Sequence, residues 1–227
     1  MGPSAETPSL PAILSIGVVQ GDEGGRGVRR AILLVYEGDV AAETVDASDF
    51  LVMYADGTRA SVEHVTFGPA DEADENRSVW LSVARRRALP EAVEIIGPLH
   101  LEDGRSVYGA SALVRDPSLA DTAVAAERRS PAPGRCEGAS QVVRTYWTDV
   151  LRGVDAVDLA GVTITFRGGA TAHAMNFDDD AEPLPRGDDN VLDVCVGGAG
   201  KMIQIEFAAG LFRDAEGHES ARVRLPL

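Results

Sequence analysis

The densest group of side chains able to do chemistry is the run Asp178-Asp179-Asp180-Ala181-Glu182-Pro183-Leu184-Pro185-Arg186-Gly187-Asp188-Asp189-Asn190. Ca²⁺ takes about six to eight oxygen ligands, mostly carboxylates and carbonyls. Carboxylates crowded on one loop repel each other until a cation joins them. The run therefore offers Asp178, Asp179, Asp180, Asp188 and Asp189 as calcium ligands. The ordered D-x-D-x-D-G pattern of an EF-hand, closed by Glu, is missing, and the competing reading is a solvated hairpin tip. A shorter counterpart, Asp71-Glu72-Ala73-Asp74-Glu75-Asn76, stands in the first half of the chain and makes a poorer cage.

Cys136 and Cys195 are the only cysteines. Their even number suggests a disulfide, which would close 59 residues (195 − 136) and stabilise by about 4 kcal/mol in the chain-entropy model. The alternative is two free thiols in a cytosolic protein. The four histidines, His64, His100, His173 and His218, fall into no H-x-H or H-E-x-x-H spacing, so zinc ligation has no motif behind it. His64 and His173 look like one surface position used twice. No G-x-S-x-G elbow marks a nucleophile. Gly197-Gly198-Ala199-Gly200 follows a strand but opens no helix, which argues for a hairpin turn over a phosphate cradle. Trp80 is expected to point outward, free to stack on a sugar or pack under a loop, and Trp147 to fill a core. Arg85-Arg86-Arg87 reads as a solvated turn.

The elements that must carry these residues are repeated. Thr44-Val45-Asp46-Ala47-Ser48-Asp49 and Gly153-Val154-Asp155-Ala156-Val157-Asp158 share four of six residues at an offset of 109 (154 − 45). In order along the chain, Tyr36–Val40 lies over Tyr146–Val150, Val79–Val83 over Leu192–Val196, and Glu102–Ser106 over Ala215–Glu219. The offset widens only between Phe67 and Val79, where the second copy has the longer loop. An insertion confined to one loop is what a duplicated domain shows, since loops tolerate insertion better than strands.

Each copy reads as short strands. Ala31–Tyr36 is continuously apolar, Phe50–Tyr54 meets Arg59–Phe67 at an Asp56-Gly57 turn, and Val162–Phe166 alternates apolar with threonine. Asp-Gly between two β-prone runs is a strong hairpin signal. No run keeps a 3.6-residue stripe, and the repeated phrase suits a single helical turn between strands. About seven strands per copy, with turn signals every ~8–12 residues, predict an all-β protein of two tandem antiparallel β-sandwiches from an internal duplication. The boundaries are a disordered leader at 1–9, a first domain at 10–117 and a second at 118–227. The net charge of −15 with pI near 4.6 is spread over both copies. It argues against nucleic acid and against docking to anionic lipid. No apolar run is long enough for a transmembrane segment. Met1–Ser9 lacks the basic head and apolar core of a signal peptide, and fits a polar leader or what remains after a signal is removed.

An apolar strand, then Val45-Asp46 leading to Asp49-Phe50, an extended run to Asp56-Gly57, the Val79-x-Leu81-x-Val83 strand and a late Asp103-Gly104 together resemble tandem Ig-like modules of bacterial exported proteins, such as S-layer proteins and adhesins. In such a sandwich the strands near Cys136 and Cys195 would be neighbours in one sheet, within reach of a bridge. The resemblance implies a non-enzymatic scaffold or binding module at the periplasm, cell surface or secreted, with a protein or glycan partner. Two alternatives stand beside it: a calcium-binding adhesion or matrix protein, and an enzyme with its site between the domains.

Overall fold

The computed structural model describes residues 12–22, 28–68, 75–131, 134–178, 189–214 and 216–227. The expected leader at 1–9 and the acidic stretch Asp71–Asp74 lie outside them. Among the described residues sixteen strands form four antiparallel four-stranded sheets, and the two halves repeat each other strand for strand. In the first half β1 (Ile13–Asp22), β2 (Val28–Tyr36), β6 (Ser78–Ser82) and β5 (His64–Thr66) form one sheet, in the order β1-β2-β6-β5. The opposing sheet is β4-β3-β7-β8, from β3 (Phe50–Tyr54), β4 (Arg59–Ser61), β7 (Pro90–Ile95) and β8 (Ser111–Leu113). In the second half β9 (Ala123–Arg129), β10 (Gln141–Leu151), β14 (Asp189–Val196) and β13 (Asn176–Asp178) give β9-β10-β14-β13. The last sheet is β12-β11-β15-β16, from β11 (Val162–Phe166), β12 (Thr171–His173), β15 (Met202–Phe207) and β16 (Val223–Pro226). The chain is all-β, and each half is a two-sheet sandwich.

Each sandwich hides its own apolar layer. Leu34, Tyr36, Phe50, Val52, Leu81 and Val93 pack in the first; Trp147, Ile164, Val194, Ile205, Phe207 and Phe212 pack in the second. There Trp147 meets Phe207 and Phe212 edge-on, at 5.1 and 5.3 Å between ring centroids, the arrangement the ring quadrupoles prefer.

The repeated phrase proves to be architectural. In the first copy it makes a 3₁₀ turn, Ala47–Asp49, held by a reciprocal box. The Ser48 N–H donates to Asp46 Oδ1 (2.8 Å) and the Asp46 N–H to Asp49 Oδ2 (2.8 Å). In the second copy the Asp155 N–H donates to Asp158 Oδ2 at 3.0 Å, ahead of the turn Ala156–Gly161. Acids at i and i+3 thus cap the turn that carries the chain from one sheet to the other.

Several finer expectations need correction. Arg59–Phe67 is two short strands, because the chain changes sheets midway, and the same change separates β12 from β13 in the second half. His64, on β5, and His173, on β12, therefore sit on non-equivalent strands. Gly197–Gly200 joins β14 to β15, which belong to opposite sheets, so it is a crossover and not a hairpin. The match of Tyr36 with Tyr146 is one residue out of step: Tyr36 faces its own core, and its counterpart facing inward is Trp147, while Tyr146 faces outward. A shift of one residue turns a strand's side chains to the other face.

A third apolar layer lies between the sandwiches. Val19, Ala31, Leu33, Val35 and Trp80 of the first meet Tyr146, Val150 and Val191 of the second. Trp80, expected on the surface, is 2% exposed within this layer. Gly17 on β1 is part of the fit, since a Cβ there would lie 2.9 Å from the Thr148 carbonyl oxygen of β10. Two sandwiches joined this way are expected to unfold in one calorimetric transition. Trp80→Ala should lower stability by about 3–5 kcal/mol, and Leu33→Asp, which places an unpaired charge in the layer, should split the transition in two.

Candidate functional site

Polar side chains ring the third layer and converge at its edge. Arg77, just before β6, bonds Glu127 of β9 at 2.9 Å and stacks 4.4 Å from the Tyr146 ring centre. Arg129 also pairs with Glu127 (2.7 Å) and reaches Asp39 of the first sandwich at 3.6 Å. Burial works against the Glu127 charge, but Arg77, the Tyr146 hydroxyl and Arg129 outweigh it and hold the carboxyl below its usual range. On β10, Arg144 grips Asp193 through two bonds of 2.8 and 2.9 Å and lies 3.4 Å from Glu75 of the first sandwich. All three are almost fully buried. Polar atoms bridge the layer as well: Asn190 Nδ2 donates to Ser78 Oγ at 2.7 Å.

The calcium ligands expected from the acidic run divide in two. Asp179, Asp180 and Asp188 lie outside the described residues. Asp178 ends β13, where it accepts from the Cys136 N–H (2.6 Å) and from Arg135 Nε (3.3 Å). Asp189 begins β14 and accepts from the Val191 N–H at 2.9 Å. Asp178 is the register partner of Asp193, four residues along β14 from Asp189. At a strand's rise that places the two roughly 13 Å apart. The described part of the run therefore serves strand ends and ion pairs.

Cys136 and Cys195 form a disulfide, with Cα atoms 5.2 Å apart and a sequence separation of 59. It ties the loop before β10 to the neighbouring β14, and Val142 packs over it. Asp178 converges on the same spot, but the sulfurs are bonded to each other and leave no thiolate for a metal.

The group that the sequence does not announce stands where the connecting segment meets the second sandwich. Asp121 of the segment, Asp149 of β10 and Asp214 of the β15–β16 connection are far apart in sequence. Each nevertheless brings a carboxylate oxygen within 4.8 Å of the others. They are only 2, 8 and 5% exposed. Asp214 is oriented by the His218 N–H (2.8 Å) and by His218 Nδ1 (2.7 Å). Asp149 accepts from the Val150 N–H at 2.7 Å, and Asp121 from the Thr148 hydroxyl at 3.3 Å. Arg115 lies 3.6 Å from Asp121. Burial, and then the neighbouring charge of Asp121, push Asp149 up to about 8. Burial and Asp214 push Asp121 up to about 6, with Arg115 opposing. A cavity of about 450 Å³ opens alongside, walled by Val18, Leu89, Leu113, Arg115 and Glu216. Its walls thus come from both sandwiches and the segment between them. No signal short of the tertiary structure could find this group, because the three aspartates come from separate stretches with no shared motif or spacing.

Among the described residues no helix is long and apolar enough to cross a membrane. No protein-family model matches the chain, and no curated protein matches it.

Two outcomes follow. In chelator-treated protein the folded-state values of Asp149 and Asp121 lie above the ordinary 3.8, so folding takes up protons. Their contribution is full below about pH 4 and is lost as pH rises through about 8. Urea unfolding should show stability falling over that window, with a shallower fall in Asp149→Asn. Replacing Cys136 and Cys195 by serine should cost about 4 kcal/mol, read by the same method.

Proposed function

We propose that this chain is a non-enzymatic, exported scaffold or binding module that presents its outer surfaces to a protein or glycan partner. One observation carries the reading: a buried apolar layer on one sheet face of each sandwich, with the arginines and carboxylates beside it, is committed to holding the two units in one orientation. Such an investment suits a rigid spacer or display element. The Cys136–Cys195 bridge supports an oxidising compartment, where structural disulfides persist, and the acidic surface supports partners other than nucleic acid.

One observation favours a second reading, an enzyme working between the domains. The junction cavity is bordered by Arg115 and Glu216 and lies next to the Asp121, Asp149 and Asp214 cluster, and domain interfaces are common places for pockets.

Two measurements separate these readings. Fractionation of native cells should find the chain outside the cytoplasm with both cysteines resistant to alkylation; a cytosolic chain with reactive thiols overturns the proposal. Panels of esters, glycosides and phosphomonoesters should give no turnover, and turnover abolished by Asp149→Asn would establish the enzyme instead.

A further inference from the structure

We propose that Asp121, Asp149 and Asp214 bind one Ca²⁺ ion at the junction of the two sandwiches. Three carboxylate oxygens lie within 4.8 Å of one another, on side chains more than nine-tenths buried. Carboxylates packed this closely away from water repel each other when ionised, and a cation that displaces the protons relieves that repulsion.

A second observation points to the same ligand. Asp121 is 2% exposed, and its Oδ2 has no hydrogen-bond partner among the described residues. Its other oxygen is occupied by the Thr148 hydroxyl and Arg115. A buried carboxylate oxygen left without a donor is costly, and a cation satisfies it where no N–H reaches. Arg115 is one positive charge against three carboxylates, and His218 is turned to Asp214.

The donors choose the ion. All are carboxylate oxygens, which favour a hard cation over zinc or copper. Oxygens up to 4.8 Å apart can share one centre at the Ca–O distance of about 2.3–2.6 Å, whereas Mg²⁺ demands a tighter, near-octahedral shell at about 2.0–2.1 Å. Water would fill the remaining positions of the shell. Bound there, the ion would clamp three pieces together: the connecting segment, β10 beside its Gly17 contact, and the β15–β16 connection.

The test uses the full chain, stripped with EDTA and titrated with CaCl₂ by calorimetry and by melting. One ion per chain should bind, and Ca²⁺ at a hundredfold excess over Kd should raise Tm by about 5–10 °C. Asp121→Asn and Asp149→Asn should each weaken binding at least about tenfold, since each removes an anionic ligand. Asp149→Asn also removes repulsion, so its chelated form should melt no lower than the chelated wild type; a lost response then reflects the site and not misfolding. The combined variant D179N/D180N/D188N should bind as the wild type does. Superimposable melting curves in EDTA and Ca²⁺ would overturn the proposal. So would a response that survives Asp121→Asn and Asp149→Asn but disappears in the combined variant, which would assign the ion to the acidic run.

Discussion

Burial of the central part of one sheet face of each sandwich against the other is the constraint from which the rest follows. Together with each sandwich's own core and the Cys136 loop, it buries Ala31–Tyr36 of β2, all of β14 and nearly all of β10 on both faces. It supplies the desolvated rim in which Arg144, Asp193 and Glu75 pair. Asp121 is brought to β10 from within the second half, by the Thr122–Thr148 bonds that continue the β9–β10 pairing, and so meets Asp149 out of water.

The two copies meet through the same face but not through the same chemistry. Leu33 pairs across the sheet with Trp80 in the first copy. The corresponding cross-strand pair in the second is Arg144 with Asp193. Likewise Val35 opposite Ser78 answers to Tyr146 opposite Val191. Duplication alone would have produced two like faces, which favour symmetrical association between copies of the chain. Divergence made one face mainly apolar and gave the other a buried ion pair. Such a pair adds little net stability against an apolar replacement, yet leaving either partner alone is costly. It therefore disfavours every docking that would strand Arg144 or Asp193.

Charge is distributed in the same spirit. The chain carries a net −15 with 21 Lys and Arg, and several of those arginines are spent inside. Arg77, Arg129, Arg135 and Arg144 all neutralise carboxylates at or near the junction. The aspartate trio, with Arg115 as its close counter-charge, is the exception to this pairing.

Much of the fold was legible in the sequence because strands, turns and caps are decided by near neighbours. Asp56-Gly57 turns where expected, with Gly57 at φ 78°, and β3 pairs with β4 across it. Val162–Phe166 alternates because one face meets the core and the other water. Even the double burial of β2 was written in the unbroken apolar run Ala31–Tyr36, which a one-sided strand would not need. The disulfide followed from there being two cysteines in one copy. What only the tertiary structure decided is which faces meet. Trp80 looks the same in sequence whether its neighbour is water or Tyr146, and no local pattern links Asp121, Asp149 and Asp214. Local preference acts over a few residues, whereas the packing of one sheet on another is settled by the free energy of whole surfaces, and that brings distant residues together.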